Sequence, residues 1–254
     1  MSKLLLGAQL YTVRDYTKTE SDFAETVKKI SDIGYKYVQV SGIGPITPQA
    51  IKAITEANNL KVVLTHTDAI RIRDNTEDVI ADHDVYNCDF LGIGGMPYEH
   101  SEKGYYDFCK DFAPAAEKLK KAGKVLLYHN HRFEFEKYNG KYGIEIILEN
   151  SDPDSVKLTF DTYWAVAAGI DAAAFMDKYA DRILVTHLKD MAVINDKQIM
   201  TEVLTGNINF DSIIEICKKH NIVWHMVEQD EVRINAIESM KISHDNLKAK
   251  YKME

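Results

Sequence analysis

Short apolar runs alternate along this chain with longer amphipathic segments, and the alternation repeats eight times. In the first half, Leu4 to Leu10, Tyr37 to Val40, Lys61 to Thr65 and Phe90 to Ile93 read as buried strands. In the second half, Val125 to His129, Val156 to Phe160, Ile183 to His187 and Ile222 to Val227 do the same. Helical spacing fills the intervals: Asp22 to Ile33, a segment from Pro48 capped by Thr47, Asn75 to Tyr86, and Lys103 to Lys121 with a disturbance expected at Pro114. Ile144 to Glu149, Asp171 to Tyr179, Phe210 to His220 and Asn235 to Lys248 continue the series. Gly34 is placed to close the first helix. Sustained β-α alternation without a linker implies a parallel sheet. Eight units in 254 residues are what a closed (β/α)8 TIM barrel needs, so residues 1–254 are expected to form one domain. An open doubly wound sheet is the alternative, because periodicity alone does not prove closure.

Composition changes this picture little. The chain is 45% hydrophobic and 28% charged, as soluble globular proteins are. A formal net charge of −8 disfavours non-specific nucleic-acid binding, which relies on Lys and Arg against phosphates. Cys88, Cys109 and Cys217 are scattered with no C-x-x-C pair, which predicts buried thiols in a reducing compartment. The apolar run near Met1 is too short for a signal peptide and no stretch reaches membrane-span length, so a cytoplasmic location is expected.

The strand ends carry the chemistry. Tyr128-His129-Asn130-His131-Arg132-Phe133-Glu134 crowds two histidines and a carboxylate where the fifth strand stops. The sixth, seventh and eighth strands stop at Asp161, His187 and Glu228. In a barrel these ends converge on one mouth, together with Gln9, Gln39 and His66 from the first three strands. Glu134, Asp161, His187 and Glu228 would then form an oxygen-rich metal site suited to Mn²⁺, Mg²⁺ or Co²⁺, with Zn²⁺ as a further option. Four protein ligands on a six-coordinate ion leave two positions for a hydroxyl and a neighbouring carbonyl. A metal there lowers the pKa of the adjacent C–H, and His129 and His131 are the acid/base candidates, assisted by Glu134 and Glu228. Each residue has a plainer reading: Asp161 as a helix N-cap, His187 as a core histidine, Glu228 as a loop charge. Their recurrence at consecutive strand ends is what favours a shared site. Leu91-Gly92-Ile93-Gly94-Gly95 lacks nucleotide-loop spacing and reads as a close backbone turn. No G-x-S-x-G or P-loop sequence is present, which disfavours a serine hydrolase or an NTPase.

Gly7-Ala8-Gln9-Leu10-Tyr11, Tyr128-His129-Asn130-His131 with Phe133-Glu134-Phe135, Asp161-Thr162-Tyr163-Trp164, His187-Leu188-Lys189-Asp190 and Val227-Glu228-Gln229-Asp230 follow one another in order. Together they resemble the sugar phosphate isomerase/epimerase family, the xylose isomerase-like barrels that also include endonuclease IV. The resemblance implies a divalent metal, Mn foremost, held by Asp161, His187, Glu228 and a strand-five carboxylate. Many of these epimerases carry Glu on the fifth strand where this chain has His129; here the carboxylate arrives later, as Glu134. Gln39 stands where many carry Glu, Arg132 replaces a common Asp, and Thr205-Gly206-Asn207 reduces a usual Gly-x-Gly. These departures point to a His-assisted variant rather than a paired-Glu mechanism. Gln9, His66, Lys189 and Trp164 are the substrate-binding candidates, Lys189 for a substrate oxygen or phosphate and Trp164 as an apolar wall.

The resemblance implies an isomerase or epimerase acting on a small sugar or keto-sugar through an enolate, in carbohydrate metabolism, without nucleic acid or membrane. A homo-oligomer would pair through outer helices. A lyase or dehydratase acting on a keto-inositol or 3-keto-glycoside is the alternative. A metal-dependent nuclease is disfavoured by charge and by too few ligands for three metals. A non-catalytic sugar-binding barrel is a rival of a different class, opposed by the intact strand-end ligands.

Overall fold

The structure is a computed structural model and describes residues 3–254. Eight parallel strands close into a barrel. In chain order they are β1 (Leu5–Gln9), β2 (Tyr37–Val40), β3 (Lys61–His66), β4 (Phe90–Ile93), β5 (Val125–His129), β6 (Val156–Asp161), β7 (Ile183–Leu188) and β8 (Trp224–Val227). Each neighbours the next and β8 returns to β1, with Leu5 opposite Trp224 and Ala8 opposite Val227. Closure settles the choice between barrel and open sheet.

The outer layer contains α1 (Glu20–Ile33), α2 (Pro48–Ala57), α3 (Ala69–Asp74), α4 (Thr76–Tyr86), α5 (Glu102–Lys121), α6 (Gly143–Asn150), α7 (Thr162–Ala167), α8 (Ala172–Lys178), α9 (Phe210–His220) and α10 (Ala236–Tyr251). Local chemistry starts and stops them as expected: Thr47 caps α2 through the Ala50 N–H, and Gly34 ends α1 at φ 119°. Among the described residues, no helix is long and apolar enough to cross a membrane.

Four differences from the sequence pattern matter. Pro114 leaves α5 continuous as a helix. A short helix, α3, precedes the one expected after β3. Another, α7, begins directly at the end of β6. Two hairpins, Lys137–Tyr138 with Lys141–Tyr142 and Asp190–Ile194 with Lys197–Thr201, extend the loops after β5 and β7. Periodicity misses such elements because they are too short to show a face.

The core has two parts. Between strands and helices lies the large cluster that includes Phe23, Tyr105, Phe108, Phe160 and Phe210. Inside the barrel, Val63, Leu64, Leu127, Val185 and Met226 fill the lumen, and Tyr37 meets Trp224 edge-on at 5.0 Å below them. Gly7 is required here: a Cβ would lie 2.4 Å from Met226 Sδ. The lumen is therefore solid beneath the mouth. Burial at about 25 cal/mol per Å² of apolar surface is the main stabilising term for such a packed floor.

Candidate metal centre at the carboxyl ends of the strands

Alternation along each strand turns Gln9, Gln39, His129, Asp161, His187 and Glu228 into the top of the barrel, and all are buried. Register finishes the assembly. Asp161 pairs directly with His187 across β6 and β7, and Gln9 pairs with Gln39 across β1 and β2. Above them opens a cavity of about 770 Å³ whose walls include Tyr11, His66, Gly95, His131, Trp164 and Asp230.

His129, Asp161, His187 and Glu228 each offer one ligand atom, and these atoms lie within 4.8 Å of one another. Asp161 serves twice. Its Oδ1 accepts the Trp164 N–H at 3.0 Å and caps α7, while Oδ2 turns inward, 3.2 Å from His129 Nε2. Cap and ligand are thus not exclusive alternatives. Asn130 clamps the same turn: its Oδ1 accepts the Asp161 N–H at 2.9 Å. The Thr162 hydroxyl accepts the Lys189 N–H at 3.1 Å and lies 2.9 Å from the Lys189 carbonyl, tying α7 to the end of β7.

Side chains behind the group orient it. Gln39 Oε1 accepts the His187 Nε2–H at 2.7 Å, which leaves the Nδ1 lone pair aimed at the centre. Gln9 Nε2 donates to Glu228 Oε1 at 2.9 Å and so directs Oε2 inward. His187 Nδ1 lies 2.7 Å from Glu228 Oε2, yet neither makes a hydrogen bond, and His129 Nδ1 also lacks one. Two buried acceptors this close to each other suit a cation bound beside both of them. Two imidazoles and two carboxylates favour Mn²⁺, Co²⁺ or Zn²⁺ over Mg²⁺, since imidazole is the softer donor.

Lys189 enters the same cluster. Its buried ammonium lies 3.0 Å from Asp161 Oδ2, 3.0 Å from Glu228 Oε2 and 2.9 Å from Asp230 Oδ2. Burial alone would lower the Lys189 pKa, but Asp161, Glu228 and Asp230 outweigh it and hold the group protonated, well above its ordinary value. Burial likewise pushes the Glu228 carboxyl up, and the Lys189 ammonium beside it works against this, with the net effect of holding Glu228 well below the usual carboxylate range. Three carboxylates against one ammonium leave two negative charges, which one divalent ion neutralises. The residues present therefore fit the metal.

At the end of β5 the four-residue group holds His129 and not Glu134. Glu134 is buried but stands outside the group, because both its oxygens are engaged: Oε1 by the Tyr128 hydroxyl at 2.7 Å and Oε2 by the His131 N–H at 2.8 Å. His129, expected as an acid/base residue, occupies the place expected for Glu134. The turn Phe133–Phe135 is a short 3-10 helix, and it carries Glu134 back under His131 rather than into the mouth. Lys189 also differs from expectation, being ion-paired beneath the cavity instead of open to a substrate phosphate. His66, His131, Trp164 and Glu228 do line the cavity, and Gln9 supports Glu228 from behind.

Burial pushes the Glu134 carboxyl up to about 7, against the lowering pull of Tyr128 and the backbone donors. Its unfolded value is about 4.3. A raised folded value means that its stabilising contribution is complete below the unfolded pKa and is lost as pH rises through about 7. Glu134→Gln keeps both contacts with the amide turned over, donating to Tyr128 and accepting from His131. Urea unfolding should therefore show the variant gaining on the wild type between pH 5 and 8, by on the order of 3 kcal/mol. A constant difference across that range would refute the assignment.

Sequence reasoning did not single out Tyr11 or Asp230, which line the mouth from the loops after β1 and β8. Tyr11 carries the Arg14 guanidinium over its ring at 4.2 Å, and Arg14 also donates to the Asp230 carbonyl at 3.0 Å. The glycines of Leu91–Gly95 gain a role as well. A Cβ at Gly92 would lie 2.7 Å from His66 Cδ2 and 2.5 Å from the Thr65 carbonyl. The bare backbone thus makes room for His66 in the wall.

Known proteins place these features in a family. Residues 27–249 match the xylose isomerase-like TIM barrel family. An inosose dehydratase of Clostridium tetani is 29% identical over 259 residues, covering 86% of each chain. An inosose dehydratase of Lacticaseibacillus casei is 26% identical over 195 residues, 68% of this chain and 64% of that protein's length. In fold, the chain is similar to the crystal structure of a sugar phosphate isomerase/epimerase from Parabacteroides distasonis, with a TM-score of 0.83 at 22% identity over 100% of this chain and 96% of that one. Closed barrel, strand-end cluster and sequence match agree, and this chain belongs to the xylose isomerase-like TIM barrel family.

Proposed function

We propose that this chain is a divalent-metal-dependent isomerase or epimerase that relocates a proton next to the carbonyl of a sugar or keto-sugar. The observation that carries the reading is the convergence of His129, Asp161, His187 and Glu228 under a cavity walled by two further histidines. In this reading those four residues hold the ion, Mn²⁺ foremost, and residues 1–254 form one catalytic domain. When bound, the ion would polarise a substrate carbonyl and acidify the neighbouring C–H.

The chain's own groups handle the proton. The His66 and His131 rings lie 5.2 and 4.7 Å from that of His129. Burial lowers both, His131 to about 4 and His66 well below its ordinary value, which favours the neutral ring, and each has a ring nitrogen with no hydrogen-bond partner. One imidazole removes the proton and, as the imidazolium so formed, returns it to a second position. Trp164 and Tyr11 supply apolar and aromatic wall for a sugar ring. Gln9 and Gln39 act from behind, by orienting Glu228 and His187.

A second reading has its own support: the curated relatives are named inosose dehydratases. Expulsion of a β-hydroxyl from a keto-inositol would use the same first proton abstraction. Incubating the Mn²⁺-loaded protein with keto-sugars and a keto-inositol in D₂O separates the two. Deuterium incorporated without change of elemental formula establishes isomerisation or epimerisation; loss of one water establishes elimination. Protein that retains no metal on elemental analysis, and converts no member of the panel, sinks both.

A further inference from the structure

Resting on that metal-centre reading, we propose that Lys189 is an internal cation competing with the metal for Asp161 Oδ2 and Glu228 Oε2. Asp230 tunes the centre by drawing the ammonium away from those two oxygens. Asp230 is thus a positioning residue for the site, acting through Lys189.

The hydrogen-bond inventory leads there. The Lys189 ammonium is hydrogen-bonded to Asp230 Oδ2 at 2.9 Å and ion-paired with Asp161 Oδ2 and Glu228 Oε2, each 3.0 Å away. Asp161 has only one oxygen to offer, since Oδ1 is committed to the Trp164 N–H. Glu228 is in the same position, with Oε1 committed to Gln9. The oxygens that contact Lys189 are therefore the ones left for a metal. A divalent ion binding a carboxylate at roughly 2.1 Å would share both oxygens with a full positive charge. At such separations, inside a buried site, repulsion between the cations is large.

Asp230 is the one of the three carboxylates outside the four-residue group. It stands at the cavity edge, with its side chain 24% exposed, and its backbone carbonyl is held by Arg14 at 3.0 Å. It offers Lys189 a partner that the metal does not need. Removing Asp230's charge leaves the ammonium dependent on the ligand oxygens; removing the ammonium frees those oxygens for the metal.

Isothermal titration of the chelator-stripped full chain with Mn²⁺ alone tests this, using wild type, Lys189→Met, Asp230→Asn and the double variant. Lys189→Met should bind about tenfold tighter or more, and Asp230→Asn several-fold weaker. The cost of Asp230→Asn should shrink below about twofold in the Lys189→Met background, as coupled residues require. Lys189→Gln, which removes the charge but keeps donors, takes the place of Lys189→Met if circular dichroism finds the latter unfolded. Equal or weaker affinity in a folded Lys189 variant overturns the inference, as does an Asp230→Asn cost that is the same in both backgrounds. In both cases the metal centre itself stands. Wild type that refuses Mn²⁺ while Lys189→Met accepts it supports competition. Refusal by both removes the metal centre, and this inference with it.

Discussion

Asp161→Asn should cost Mn²⁺ affinity about a hundredfold or more while leaving the barrel folded, and should reduce turnover to background. Two atoms of one side chain make this separation possible. The amide keeps an oxygen for the Trp164 N–H, so α7 retains its cap at 3.0 Å. What changes is the inward atom: a neutral NH₂ replaces the carboxylate oxygen that lies 3.2 Å from His129 and 3.0 Å from Lys189. A ligand charge is lost, and a donor now faces the Lys189 ammonium. Two carboxylates remain for Lys189, so the stability cost stays at about 1–3 kcal/mol, below that of a fully unpaired buried charge. Asp161→Ala loses the cap as well and should be less stable than Asp161→Asn by about a further 1 kcal/mol, with the same loss of metal. Titration with Mn²⁺ and urea unfolding of the two variants together distinguish cap from ligand. An Asp161→Asn protein that binds Mn²⁺ as wild type does would remove Asp161 from the centre.

Asp161, His187 and Glu228 could be read from the sequence because each closes an apolar run, and the end of a barrel strand has one destination. The eight β-α units were legible in the same runs, and closure of the ring came from the structure. Glu134 was misplaced for a definite reason. Its five-residue distance from His129 says nothing about the path of a 3-10 turn, and the turn is governed by contacts with Tyr128 and the His131 N–H. His129 stands at the strand end itself, as Asp161 does, so the rule that brought the other three residues of the group together would have brought it there too. Lys189 presents a different difficulty. Sequence places a lysine beside a ligand, but its burial depends on carboxylates from β6 and from the end of β8, and no local pattern encodes that meeting. Gln39 was visible as a strand-end polar residue; its role behind His187 needed the closed ring to bring β2 opposite β7.

Asp190 gives the second large effect, and it lies outside the metal group. The expected result for Asp190→Ala is a loss of about 3–5 kcal/mol in urea unfolding, large for a single polar residue. The carboxylate is buried just past β7 and accepts four backbone N–H groups: Met191 at 2.7 Å, Leu204 at 2.9 Å, Gly206 at 2.9 Å and Ile208 at 3.2 Å. Alanine would leave those donors without their common partner, each costing about 1–3 kcal/mol where water cannot replace the carboxylate. Gly206 shows how tight the cradle is, since a Cβ there would lie 2.6 Å from Asp190 Oδ1 and 2.4 Å from the Met191 carbonyl. The loop that follows the Asp190–Ile194 and Lys197–Thr201 hairpin is thereby fixed against the residue next to Lys189. Amide exchange should accelerate at Leu204, Gly206 and Ile208 first, while strand amides such as that of Val185 keep their protection up to global unfolding. Uniform acceleration would mean that Asp190 supports the whole barrel rather than this loop. Unchanged exchange with unchanged stability would mean that the four bonds are replaceable by water, and that the loop after β7 is held by its apolar contacts alone.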